Sequence, residues 1–444
     1  MTPGIPHIEA RRVDAEHPAE RNLRLNTNSL ILANVLAGVL GLAFWAAAAR
    51  LFPAHEVGVA SALITSAVML STLSLLSIDT MYERFLPLAG THTGALLKHG
   101  FLVVSATSLL SGTALVAFGP RDPLFQSGWA MVCFPVLVMI LGVFTLQDKA
   151  TAGLGVARWS AAKNAFHAAA KLVVLLALAG TDVAVSIVSA WGATAAAAAL
   201  CILVALHRRS RSHPRFLAAP NLPPRRELWS YFGSSFGITA LWAIGPLVVP
   251  LIVVTQVGAE ANAYFAIAWA MISALYLMVH LVVSPYVAEV AAHPGRVASL
   301  SRRLVRTLAV VACAGGVGLV VVGPLLLGVV GAEYRTHSTG LLYLAGVFIP
   351  LSVGGAVYEG LARVHRRLTL ALVVRGLSTL VIVAGSVIGT RAIGVVGVGW
   401  AYLAAEAVSA LILIGPVILW LRRASQERGY DEIPADDPGG ERVE

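Results

Sequence analysis

The chain has 444 residues, of which 57% are hydrophobic and only 12% charged, with a formal charge of +9. A soluble chain carries roughly 25% charge. With a mean hydropathy of +0.79, this composition excludes a globule that covers its apolar residues with a polar shell in water, and points to a bilayer. The basic residues are split among many short loops, which argues against nucleic-acid binding and suits membrane topology.

In chain order, residues 1–27 form a polar tail with Arg11, Arg12, Arg21 and Arg24. The apolar run after it is too long for a signal-peptide core, so the sequence predicts a retained first helix. A helix needs about 20 apolar residues to cross a hydrocarbon layer of about 30 Å. Twelve such runs are present, at 28–49, 57–78, 99–118, 127–147, 161–179, 182–206, 230–254, 261–288, 304–330, 338–358, 368–388 and 393–420. Backbone polar groups must be satisfied within a segment that meets lipid, so each run reads as a helix. Cys133, Cys201 and Cys313 lie inside apolar runs without a CxxC neighbour, which predicts neither a metal site nor a disulfide.

With the N-terminus inside, cytoplasmic segments hold 26 of the 32 lysines and arginines. External loops hold Arg50, Arg121, Arg335 and Arg391, while Lys171 and Arg375 fall deep within spans. This bias predicts a multi-pass protein of the cytoplasmic (inner) membrane with both termini in the cytoplasm. The basic connector 207–229 divides a first lobe, 28–206, from a second, 230–424, and an acidic tail at 425–444 reads as disordered.

The lobes read as repeats. Glu56 and Glu260, Tyr82 and Tyr286, and Lys171 and Arg375 are each 204 residues apart. Gly180-Thr181 with Trp191 matches Gly389-Thr390 with Trp400 at a shift of 209. An even number of spans in each half gives the repeats one orientation, related by an axis along the membrane normal. The predicted fold is an all-α polytopic membrane protein with 12 transmembrane helices in two parallel six-helix lobes around a central cleft.

Three segments carry a family likeness: Ala49-Arg50-Leu51-Phe52-Pro53-Ala54-His55-Glu56-Val57-Gly58 after the first span, Arg84-Phe85-Leu86-Pro87 after the second, and Gln147-Asp148-Lys149-Ala150 with Gly153-Leu154 after the fourth, leading into Asn164. Together they resemble the polysaccharide-flippase branch of the multidrug/oligosaccharidyl-lipid/polysaccharide exporter superfamily, over about residues 25–424. The resemblance implies alternating access and transport of a polyprenyl-diphosphate-linked glycan. The lipid II flippase branch has an Arg-Asp pair in its first helix, where this chain has Phe44-Trp45.

A flippase carries a charged head group through hydrocarbon, so it needs a wet cleft with countercharge, and charged residues inside spans are the candidates. Lys163, His167 and Lys171 are spaced four apart and stack on one helix face, with Asn164 beside them. Arg375, with Arg367 two turns before it, is the second cation, suited to bidentate phosphate binding. These predict a substrate site of Lys171, Arg375, His167, Lys163 and Asn164. Glu406, an acid near mid-span, is a candidate coupling residue for H+ or Na+, or a structural partner of Arg375. Arg50, Glu56, Asp79, Arg84, Asp148 and Glu359, at span ends, are candidate gating residues or plain interfacial charges, with Arg50 and Glu56 a possible latch near Glu260.

No P-loop, HExxH or serine-elbow motif is present, so the sequence predicts neither an enzyme nor a resident cofactor. The expected partners are the lipid-linked glycan and membrane lipid. An ion-coupled drug antiporter of the same fold is the alternative. A membrane-embedded glycosyltransferase ranks below both, because the external loops are short.

Overall fold

A computed structural model describes residues 36–122, 124–180, 183–212, 219–222, 225–292, 296–364 and 369–431. The described residues are mostly helical, with no strand among them. The helices of the first half are α1 (Leu36–Leu51), α2 (Ala54–Ser74), α3 (Ile78–Phe85), α4 (Thr93–Phe118), α5 (Gly128–Gly153), α6 (Ala157–Ala177) and α7 (Ala184–Ser212). Those of the second are α8 (Arg225–Gln256), α9 (Ala259–Leu281), α10 (Val283–Ala292), α11 (Val297–Val321), α12 (Gly323–Val330), α13 (Ala332–Val364), α14 (Thr369–Ile393) and α15 (Val396–Asp431). The N-terminal tail, Arg367 and most of the acidic tail lie outside the described residues, and α15 runs on past the expected boundary at 424.

Among the described residues, nine helical segments are long and apolar enough to cross a membrane. Two shorter apolar helices, Leu36–Leu51 and Ala243–Gln256, belong to α1 and α8. The remaining span, α6, is diluted by Lys163, Asn164, His167 and Lys171. With the pairs α2–α3, α9–α10 and α11–α12 each counted as one broken span, this is the predicted twelve-helix layout in two halves. Large apolar side chains such as Leu110, Phe118, Val173, Leu380 and Leu411 point outward, as a lipid-facing surface requires.

The breaks have local causes. Between α2 and α3, Leu76 and Ser77 adopt positive φ angles of 47° and 62°, which a right-handed helix cannot contain. The freed Ser74 carbonyl accepts from the Thr107 hydroxyl at 2.8 Å. Between α9 and α10 the helix breaks at Val282, with Pro285 in the first turn of α10, and Pro324 is the second residue of α12; each proline removes an N–H from the ladder. The short helix after each of the first two breaks is tied to the next long helix by a tyrosine. The Tyr82 hydroxyl lies 3.0 and 2.9 Å from the Leu96 and Leu97 carbonyls, and the Tyr286 hydroxyl 2.8 Å from Ser301 Oγ. The repeat seen in the sequence thus appears as a repeated construction.

In the first half α5 packs against α2, α3, α4, α6 and α7; in the second α13 packs against α9, α10, α11, α12 and α15. The halves meet where α2 crosses α8 and α9. Asn262 Nδ2 donates to the Gly58 carbonyl at 2.8 Å, and a Cβ on Gly58 would lie 1.6 Å from the Ala259 carbonyl oxygen. Glycine is required there because backbone meets backbone. Residues of both halves, among them Val57, Ala60, Ala263 and Phe265, share one buried core at this end.

Candidate functional site

The fourfold spacing on α6 turns its polar face inward. Lys163, His167 and Lys171 are all buried. At the end nearest Asp148, Lys163 Nζ lies 2.6 Å from Asp148 Oδ1, donates to the Phe144 carbonyl and sits 3.5 Å from the Phe144 ring centroid. Asp148 also accepts from the Ser160 hydroxyl and, at 3.4 Å, from the Asn164 amide. Two predicted substrate residues and one predicted gating residue are therefore joined in one network between α5 and α6.

One turn further, His167 Nδ1 lies 3.0 Å from Thr194 Oγ1, with its ring between those of Phe144 and Trp191. One turn beyond that, Lys171 Nζ stands 3.4 Å from the Trp191 ring centroid and 5.2 Å from that of Phe44. Among the described residues no carboxylate pairs with Lys171. The α6 face thus runs from a neutralised ammonium to one held by aromatic faces alone. Phe44, Phe144 and Trp191 were not singled out as site residues, since an aromatic inside an apolar span resembles any packing residue.

The second half holds a cavity of about 220 Å³ bordered by His280, Ser352, Glu359, Arg363, Arg375 and Glu406. Arg375 and Glu406, distant in sequence, border the same space. Glu406 Oε1 accepts from the Tyr276 hydroxyl at 2.7 Å, a partner on α9 that sequence spacing did not suggest. Ser378 and Ser409 link α14 to α15 at 2.6 Å. Arg363 and Glu359 pair along α13.

The remaining predicted gating residues are dispersed. Asp79, in the first turn of α3, keeps one buried carboxylate oxygen without a hydrogen-bond partner. Arg84 lies over the Phe85 ring at 5.3 Å, and Lys149 pairs with Glu83 at 3.1 Å. Arg50 reaches across to the second half and donates to the Val329 carbonyl at the end of α12. Glu56 accepts from the Ala184 backbone N–H at 2.6 Å, at the start of α7 in its own half. Glu260 accepts from Tyr264, whose hydroxyl also lies 2.9 Å from Glu333. The structure does not bring Arg50, Glu56 and Glu260 together as one latch. Among the described residues no group of three or more His, Cys, Asp or Glu side chains is placed to hold a metal ion.

Two six-span halves thus pack together and carry polar groups inside them. Solved structures with this fold include an inward-facing multidrug resistance MATE family transporter of the MOP superfamily, with 13% identity, a TM-score of 0.64 and coverage of 88% of this chain and 96% of that one. The lipid II flippase MurJ in an inward closed conformation matches with 10% identity and a TM-score of 0.64, over 89% of this chain and 90% of that one. MATE in the straight conformation gives 14% identity and a TM-score of 0.60, over 92% and 97%. No family model matches the chain, and no curated protein sequence matches it. At such identities the likeness establishes the fold that the motifs implied.

Proposed function

We propose that this chain is a transporter that flips a polyprenyl-diphosphate-linked oligosaccharide across the cytoplasmic membrane for cell-surface polysaccharide synthesis, by alternating access. The observation that carries this reading is Lys171, a buried ammonium with ring faces beside it and, among the described residues, no carboxylate to neutralise it. An isolated charge at that depth is costly, and an anionic head group would offset the cost. Arg375 on the cavity of the second half supplies a second cation suited to phosphate. His167 lies along the path from the paired Lys163 to Lys171, and Lys163 and Asn164 join that path when Asp148 releases them.

The halves meet at the Glu56 end, which the loop-charge bias puts outside the cell. That arrangement suits loading from the cytoplasm, with both termini on the loading side. Glu406, hydrogen-bonded to Tyr276 beside the Arg375 cavity, is the proposed coupling residue for H+ or Na+. Asp79, Arg84, Asp148 and Glu359 are proposed for the cytoplasmic gate, and Arg50 with Glu56 for the outer closure.

The test is flipping of a fluorescent polyprenyl-diphosphate glycan in proteoliposomes. Lys171→Gln with Arg375→Gln is expected to slow it by at least about tenfold, the loss of charge-assisted phosphate contacts, at unchanged protein level. A normal rate in the double variant would sink the assignment.

A further inference from the structure

The rings beside Lys171 form a box with two faces on its ammonium: Trp191 and Phe44 meet Nζ at 3.4 and 5.2 Å, and Trp45 packs against both of those rings. Phe44 and Trp45 come from α1 and Trp191 from α7. Their centroids are 5.3 Å apart for Phe44–Trp45, 5.3 Å for Phe44–Trp191 and 6.0 Å for Trp45–Trp191. His167 meets Trp191 edge-on at 5.7 Å and bounds the box one turn away. Phe44 is fully buried, whereas Trp45 and Trp191 keep part of their surface exposed. Aromatic faces attract cations, tryptophan most strongly, and a group of them is the usual receptor for a quaternary ammonium. Here the box already contains a cation, delivered by α6 and tethered to the chain.

We propose that Lys171 is the internal ligand of an organic-cation site: its ammonium covers the Trp191 and Phe44 faces, keeps small organic cations off them, and so sets the sign of charge the first half accepts. The assignment of cargo sign rests on the transport reading above; the existence of the box does not. A neutral residue too short to reach the rings would vacate the site and leave the ring faces for a free cation. Arginine in place of lysine would keep it filled, because guanidinium also stacks on indole.

The probe is tetramethylammonium, with binding to the full chain in lipid nanodiscs followed by equilibrium dialysis and tryptophan fluorescence. Wild type and Lys171→Arg are expected to show no saturable binding. Lys171→Ala is expected to gain it, at probe concentrations at least about tenfold below any uptake by wild type, and Lys171→Ala combined with Trp191→Leu to lose it again. Lys171→Ser serves the same purpose should the alanine variant not fold. Binding by the alanine variant no tighter than wild type, or unchanged when Trp191 is also replaced, would overturn the box. Flipping by wild type is scored separately: a cation-binding alanine variant alongside a wild type that flips no anionic amphiphile would keep the box and remove the cargo assignment.

Discussion

The two halves share a plan and differ in what they enclose. The first stacks its cations along α6 against rings, with a single carboxylate, Asp148, at one end. The second arranges Arg375, Glu406 and His280 around open space, so that acid and base border one cavity, with Tyr276 hydrogen-bonded to Glu406. A repeated backbone therefore does not impose repeated chemistry. The long helices and the tyrosine ties recur at equivalent positions, while the polar interior is free to diverge because it depends on side chains alone.

Six substitutions press on that contrast. The largest effect is expected at Asp148. Its loss as Asp148→Asn leaves the Lys163 ammonium, whose side chain is fully buried, without a counter-ion, and breaking such a pair costs about 3 kcal/mol or more. Lys163→Met should cost less, because the Asp148 side chain is one-third exposed and can turn to water. Adding Lys163→Met to Asp148→Asn should restore part of the loss. Thermal unfolding in detergent checks all three, and equal costs for the two single variants would mean that the pair is not seated as described.

Next is Gly58→Val at the crossing of the halves. The new side chain would collide with the Ala259 backbone, and overpacking of this kind costs about 1–3 kcal/mol. Gly38→Ala, with open space around it, should be neutral or slightly stabilising. Tyr276→Phe, which removes the hydrogen bond to Glu406, should lower stability by about 1–2 kcal/mol and leave the first half untouched; protection of α6 amides in hydrogen exchange would stay at the wild-type level. The smallest loss is expected for Glu56→Ala, which removes the acceptor on the first N–H of α7 at a cost of about 1 kcal/mol or less. Faster exchange confined to the start of α7 is its signature.

Much of the fold was legible because crossing a bilayer demands long apolar runs, and those are one-dimensional. The face of α6 was legible for a similar reason: four-residue spacing fixes alignment along a helix. What binds to that face was not. Asp148 reaches Lys163 from another helix, through a rotation of α5 that no local pattern encodes. The Trp191 ring under Lys171 looks, in sequence, like packing. Arg50 lands on a backbone carbonyl, an acceptor every residue possesses, so no side-chain pattern could single out Val329. The break at Leu76 and Ser77 contains no proline, whereas those before Pro285 and Pro324 carry a visible marker.

Gly58 and Asn262 are separated by the repeat length of 204. On a two-fold axis each position meets its own counterpart, and two identical side chains there compete for one volume. An asparagine on both sides would not fit, and a glycine on both would leave the Gly58 carbonyl without its donor. The junction works because one copy surrenders its side chain and the other extends it, so at this point a doubled chain is obliged to lose its symmetry.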